Sequence, residues 1–91
     1  MPTKSIYLVV GGRVQGVGFR HFALCQAEKF QISGWIKNRP DGRIEIEAEG
    51  EAKNIELFVD WIRIGPTRAI IQTFHISEIT PARHFVSFTI R

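Results

Sequence analysis

Residues 12–20, Gly-Arg-Val-Gln-Gly-Val-Gly-Phe-Arg, constrain the fold more tightly than any other stretch of the chain. They follow the apolar run Ile6–Val10, which suits a strand, and lead into residues 20–27, Arg-His-Phe-Ala-Leu-Cys-Gln-Ala, which suit a helix. A glycine-spaced loop in that position is a place to hold an anion. Gly16 and Gly18 can adopt positive φ, which turns successive backbone N–H groups toward one point. The helix start adds unpaired N–H groups and the positive end of its dipole. Arg20 adds a charge and a planar fork that matches phosphate oxygens.

Better-known phosphate loops do not fit. A P-loop needs Lys followed by Ser or Thr at its close, and a dinucleotide fingerprint needs a third glycine where this chain has His21. The only cysteine, Cys25, falls on the helix, so the loop carries no thiol nucleophile. Two glycines alone fit a phosphate cradle and a plain strand-to-helix turn about equally well.

The rest of the chain supplies the elements that such a loop would join. Phe19, Ala23, Ala27 and Phe30 recur at helical spacing on one side of the first helix. Residues 43–49 alternate between basic or acidic and apolar side chains, the pattern of an antiparallel strand with one wet face. Pro40-Asp41-Gly42 provides a turn joining it to a strand over residues 35–39. Ile55, Phe58, Val59 and Ile62 form one face of a second helix, which Gly65-Pro66 ends. Leu57, Trp61 and Ile64 make a second apolar flank, expected to widen the core-facing stripe of that helix, with an exposed patch for self-association as the sharper alternative. Strands are expected over 69–79 and 85–90 around the turn Thr80-Pro81-Ala82. The order β-α-β-β-α-β, with a last short strand, predicts an α+β, ferredoxin-like sandwich: an antiparallel sheet with both helices on one face.

Composition bounds the function. A chain of 91 residues with 44% hydrophobic residues predicts one folded domain over 1–91, not a disordered segment. The net charge of +3 suits a small anionic substrate, and no Lys/Arg run tracks a nucleic-acid backbone. One cysteine excludes an internal disulfide framework. No apolar stretch approaches a membrane span or a secretory leader, so the expected location is cytoplasmic; the chain is separately expected to be monomeric.

The whole string from Gly12 to Arg20 resembles the signature of the acylphosphatase family. A second motif of that family is matched by residues 34–42, Gly-Trp-Ile-Lys-Asn-Arg-Pro-Asp-Gly, where Ile36 is bulkier than the usual residue. A looser third match is Phe58-x-x-Trp61-Ile62-x-x-Gly65-Pro66. The resemblance implies the ferredoxin-like fold and hydrolysis of an acyl phosphate to carboxylate and inorganic phosphate. It implies that Arg20 binds phosphate and that Asn38 positions water. The expected phosphate-binding set is Gln15, Gly16, Val17, Gly18, Phe19 and Arg20, with Arg20 and Asn38 catalytic. No cofactor or metal is expected; inorganic phosphate should act as product and inhibitor.

The side-chain inventory agrees with this chemistry. An amide such as Asn38 cannot abstract a proton near neutral pH, but it can hold a water through its carbonyl and NH2 groups; a turn-flanking Asn bonded to nearby backbone is the plain alternative. Without a base, the suitable substrate is one whose leaving group needs no proton. An acyl phosphate leaves as a carboxylate, and its loose transition state responds mainly to positioning and electrostatics. His21, His75 and His84 lack metal-ligand spacing and are expected at the surface or at strand edges. Cys25 is expected opposite the apolar stripe, and Glu45, Glu47 and Glu49 on a solvated sheet face. Asp41 is assigned to turn geometry; Arg13 either adds to the field of the loop or is a surface residue. Two rival readings are an RNA-binding module of the same fold, whose aromatic strand motif is absent, and a carbamoyl-phosphate-binding domain of a larger maturation enzyme. Chain length favours a free-standing enzyme.

Overall fold

The computed structural model describes residues 2–91. Strand β1 (Thr3–Arg13) runs through the Gly-rich loop into helix α1 (Phe19–Lys29), and β2 (Ser33–Asn38) and β3 (Ile44–Glu51) form a hairpin. Helix α2 (Ala52–Ile64) follows β3 directly, and β4 (Ile70–Glu78) and β5 (Phe88–Ile90) complete the chain. The sheet order is β4-β1-β3-β2-β5, so the two strands of the opening β-α-β unit are separated by β3.

Pairing is antiparallel in the body of the sheet, with β1 against β3 and β4, and β2 against β3. The exception is the β5 edge, which pairs parallel with β2 in the register Gly34↔Phe88, Trp35↔Thr89, Ile36↔Ile90. The strand expected over 85–90 is therefore shorter, and it does not pair with β4. The two lie on opposite edges, and the segment between them crosses the sheet.

Both helices cover the face that carries Ile6, Leu8, Val10, Ile36, Ile44, Ile46 and Ala48. Period-two alternation puts these residues on one side, and they meet Phe19, Ala23 and Ala27 from α1 and Ile55, Phe58, Val59 and Ile62 from α2. Phe58 meets Phe88 edge-on with ring centroids 6.0 Å apart, which ties the terminal strand to the core. Gly34 is required by close approach: a Cβ there would stand 1.9 Å from the Glu47 carbonyl oxygen.

Two expectations need correction. Leu57, Trp61 and Ile64 are 39%, 40% and 66% exposed. The face centred on Phe58 already fills the space above the sheet, and no further layer covers the second flank; the Lys29 ammonium lies over the Trp61 ring at 5.3 Å. The carboxylate row is not solvated either, since Glu47 and Glu49 are only 9% and 5% exposed. The segment between β4 and β5 runs over this helix-free face. Glu49 accepts hydrogen bonds from the Ser5 hydroxyl at 2.9 Å and from the His84 and Phe85 N–H groups at 3.2 and 3.0 Å. Burial pushes the Glu49 carboxyl up, but these donors outweigh it and hold its pKa below the usual value. Glu45 accepts from the Tyr7 hydroxyl at 2.5 Å, and that bond is the main reason the Tyr7 pKa is raised.

Candidate active site

The loop between β1 and α1 is built to leave donors free. Gly16 and Gly18 have φ of +72° and +81°, and a Cβ at either would meet nothing within 4 Å. The glycines are needed for backbone direction, not for lack of room, and a side chain there would project into open space above the loop. Among the described residues, no hydrogen-bond acceptor takes the N–H groups of Gln15, Gly16, Val17 or Gly18. The first helical bond of α1 runs from the Phe22 N–H to the Gly18 carbonyl at 3.0 Å, so the N–H groups ahead of it are the unpaired ones of a helix start. Gly18 gives no side-chain cap, and the first turn holds no acid. An anion seated at this end would meet unpaired dipoles and no opposing charge.

A cleft of about 290 Å³ opens here, lined by Val14, Gly16, Gly18, Phe19, Arg20, His21, Asn38 and Ile90. It brings together Gly16, Gly18, Phe19, Arg20 and Asn38 from the expected site. Phe19 is 2% exposed, so its ring belongs to the core and only its backbone faces the cleft rim. Arg20 is exposed and has no carboxylate partner among the described residues.

Asn38 closes β2, two residues beyond fully buried Ile36, so alternation directs its side chain to the helix-bearing face at the edge of the core. Its Oδ1 is buried and has no hydrogen-bond partner. The plain alternative, an amide bonded to turn backbone, thus leaves its carbonyl unexplained. An open acceptor on a cleft wall is the group that a water or a ligand N–H or O–H completes.

Gln15 and Val17 fall elsewhere. They line an adjoining cleft of about 410 Å³ with Arg13, Gly16 and Arg68. The Gln15 amide nitrogen donates to the Arg39 and Arg43 carbonyls at 2.8 and 3.0 Å. It is a strut from the loop to the β2–β3 turn, and only the backbone N–H of Gln15 is left for a ligand. That turn is fixed by Asp41, which accepts from the Arg43 N–H at 3.0 Å and from its guanidinium at 3.0 and 2.7 Å. The side-chain bond to Arg43 is the main cause of the lowered Asp41 pKa. Asn38 and the loop are therefore held to the same turn.

Sequence reasoning missed His21 and Ile90 as cleft residues. His21 is exposed as expected but borders the cleft, and its Nε2 lies 3.6 Å from the Cys25 Sγ, one helical turn on. Its position directly after Arg20 was the available signal. Ile90 had none, because only the parallel pairing of β5 with β2 carries it there. Among the described residues, no group of three or more His, Cys, Asp or Glu side chains is arranged to hold a metal, and no helix is long and apolar enough to cross a membrane.

This geometry has close counterparts. The acylphosphatase family profile matches residues 6–90. An acylphosphatase of Chlorobaculum tepidum is 41% identical over 88 residues, covering 93% of this chain and 96% of its own. The crystal structure of acylphosphatase from Bacillus subtilis superimposes with a TM-score of 0.94 at 36% identity, covering 97% and 98% of the two chains. Full-length HypF, solved in a phosphate- and nucleotide-bound form, matches with a TM-score of 0.92 at 32% identity; 99% of this chain aligns to 12% of that much longer one. With a family match over nearly its whole length, an uncapped glycine loop beside a free arginine and an open asparagine acceptor, this chain belongs to the acylphosphatase family, enzymes that hydrolyse acyl phosphates.

Proposed function

We propose that the phosphoryl group of an acyl phosphate binds against the Gln15–Gly18 loop and the start of α1, with Arg20 gripping its oxygens and Asn38 holding the attacking water. The observation that carries this reading is the convergence, in one cleft, of donors without acceptors and an acceptor without a donor. Backbone N–H groups from Gln15 to Phe19 and the Arg20 guanidinium supply positive charge to the equatorial oxygens as the bond to the leaving carboxylate breaks. The Asn38 Oδ1 accepts from water and turns its lone pair in line with that bond. The phosphoryl oxygens themselves take the water's proton, since among the described residues no carboxylate lines the cleft and His21 stands at its border beside Cys25; the carboxylate leaves without protonation. Phe19 contributes through its backbone and its packing. The reaction asks for no cofactor or metal, and the enzyme acts as a cytoplasmic monomer on a small molecule, without nucleic acid or membrane.

The decisive experiment compares benzoyl phosphate with phenyl phosphate, each with and without EDTA. Turnover of the acyl phosphate alone, unchanged by EDTA, is the expected result. Equal turnover of the monoester, or strict dependence on an added divalent ion, overturns the mechanism.

A further inference from the structure

Beside the phosphate cleft lies a second cleft of about 410 Å³, and the two share Gly16. Arg13 and Arg68 line the second cleft, and neither has a carboxylate partner among the described residues. Among the described residues, no acid lines either cleft. Elsewhere the arginines are occupied: Arg39 and Arg43 pair with Asp41, Arg83 lies 3.8 Å from Glu47, and Arg63 and Arg91 stack on Phe74 and Trp35.

The local fold brings the two free cations together. The register of β1 with β4 shifts between Gly11 and Gly12, and a Cβ at Gly12 would stand 2.2 Å from the Ile70 carbonyl oxygen. That close approach sets Arg13 opposite Ile70, two residues from Arg68, at the mouth of the loop. Two unneutralised guanidinium groups beside a cleft repel each other and gain from a shared anion.

We propose that Arg13 and Arg68 bind a second anionic group on the acyl portion of the substrate, so that the enzyme prefers acyl phosphates ending in a carboxylate over neutral ones. This rests on the reading of the neighbouring cleft as the seat of the phosphoryl group. Gly16 lines both clefts, so the two adjoin, and one small molecule would span them with its phosphate beside Arg20 and its distal anion between Arg13 and Arg68. The Gln15 amide takes no part, since the turn carbonyls occupy it.

The test pairs succinyl phosphate with butyryl phosphate, which have the same carbon count and differ in the distal carboxylate. At fixed ionic strength, kcat/KM of the unmodified protein should favour succinyl phosphate by about fivefold to tenfold, the scale of two partly exposed ion pairs. Arg68→Gln and Arg13→Gln should each lower the succinyl value about threefold, mainly through KM, and Arg68→Lys should retain most of the preference. Lys53→Gln removes one charge from α2 and should leave the ratio unchanged, which separates a local subsite from net charge. An unchanged ratio in both arginine variants, or an equal loss on both substrates, overturns the proposal while the enzyme remains an acylphosphatase. If the unmodified protein turns over neither substrate, the reading of the first cleft fails, and this one with it.

Discussion

The Glu49 carboxylate and the Gln15–Gly18 loop handle polar groups in opposite ways. At Glu49 every approach is answered: the Ser5 hydroxyl and the His84 and Phe85 N–H groups all donate to it, and the group is 5% exposed. In the loop, backbone donors stand without acceptors, Arg20 without a counterion and the Asn38 Oδ1 without a donor. Buried polar groups are normally satisfied, because leaving one unpaired costs about 1–3 kcal/mol. The closed site lowers the energy of the fold. The open one leaves those groups without partners among the described residues, and the Asp41 carboxylate of the adjoining turn is paired with Arg39 and Arg43.

The largest effect is expected at the open site. Arg20→Lys keeps the charge but loses the planar fork, and activity on benzoyl phosphate should fall about 10³-fold or more. Inorganic phosphate, which should raise the Tm of the unmodified protein by mass action, should do so only weakly in this variant. Full activity in Arg20→Lys removes the cradle from the mechanism.

Asn38→Ala should follow, at about 10²–10³ in kcat, or roughly 2.7–4 kcal/mol. Phosphate affinity should barely change, because the proposed contacts come from residues 15–20. Single-turnover hydrolysis and phosphate titration on the same variant distinguish the outcomes. A collapse of phosphate affinity would assign Asn38 to the cradle, and a normal rate would return it to the turn.

Glu49→Gln probes the closed site and should change stability with little effect on kcat. Losing charge-assisted bonds from three donors should cost about 1–3 kcal/mol at neutral pH. The Glu49 pKa is lowered in the folded protein, so its contribution is complete above the ordinary glutamate pKa and fades as pH falls through the depressed one. The gap between the variant and the unmodified protein in denaturant titrations should therefore narrow as pH falls below the ordinary glutamate pKa and close below the depressed one. A constant stability gap across that range would show that lost shape, not lost charge, explains the defect.

The smallest effect belongs to the exposed flank of α2. Leu57→Lys should shift stability by less than about 0.5 kcal/mol, because Leu57 is 39% exposed and no element packs over it. A large loss on thermal melting would mean that this flank is buried in solution.

Much of the fold is legible in local order. The 3.6-residue spacing in residues 19–27 and 55–62 and the alternation at 43–49 each follow from one element needing one apolar face. The loop's conformation was legible for a related reason: Gly16, Gly18, Arg20 and a helix start are neighbours in sequence, and the positive φ values and unpaired N–H groups between them are local structure. Asn38 was legible only through the motif that surrounds it, since an Asn before a turn is ordinary.

What sequence alone determined was therefore the set of elements, the main apolar side of each helix, and the loop and Asn38 that we propose as the two halves of a phosphate site. Tertiary structure decided which of the remaining polar groups are spent and which are free. Glu47 and Glu49 alternate like solvated residues, yet the segment between β4 and β5 covers them because those strands occupy opposite edges of the sheet. Leu57, Trp61 and Ile64 are spaced like core residues, yet they face outward because Phe58 and its neighbours already fill the layer. Gln15 reads as a ligand contact until Arg39 and Arg43 take its amide, and Ile90 reaches the cleft only by parallel pairing with β2. Periodicity specifies the side of an element that a residue occupies, whereas the partner waiting on that side is set by chain segments distant in sequence, and the energy of a polar or apolar group depends on that partner.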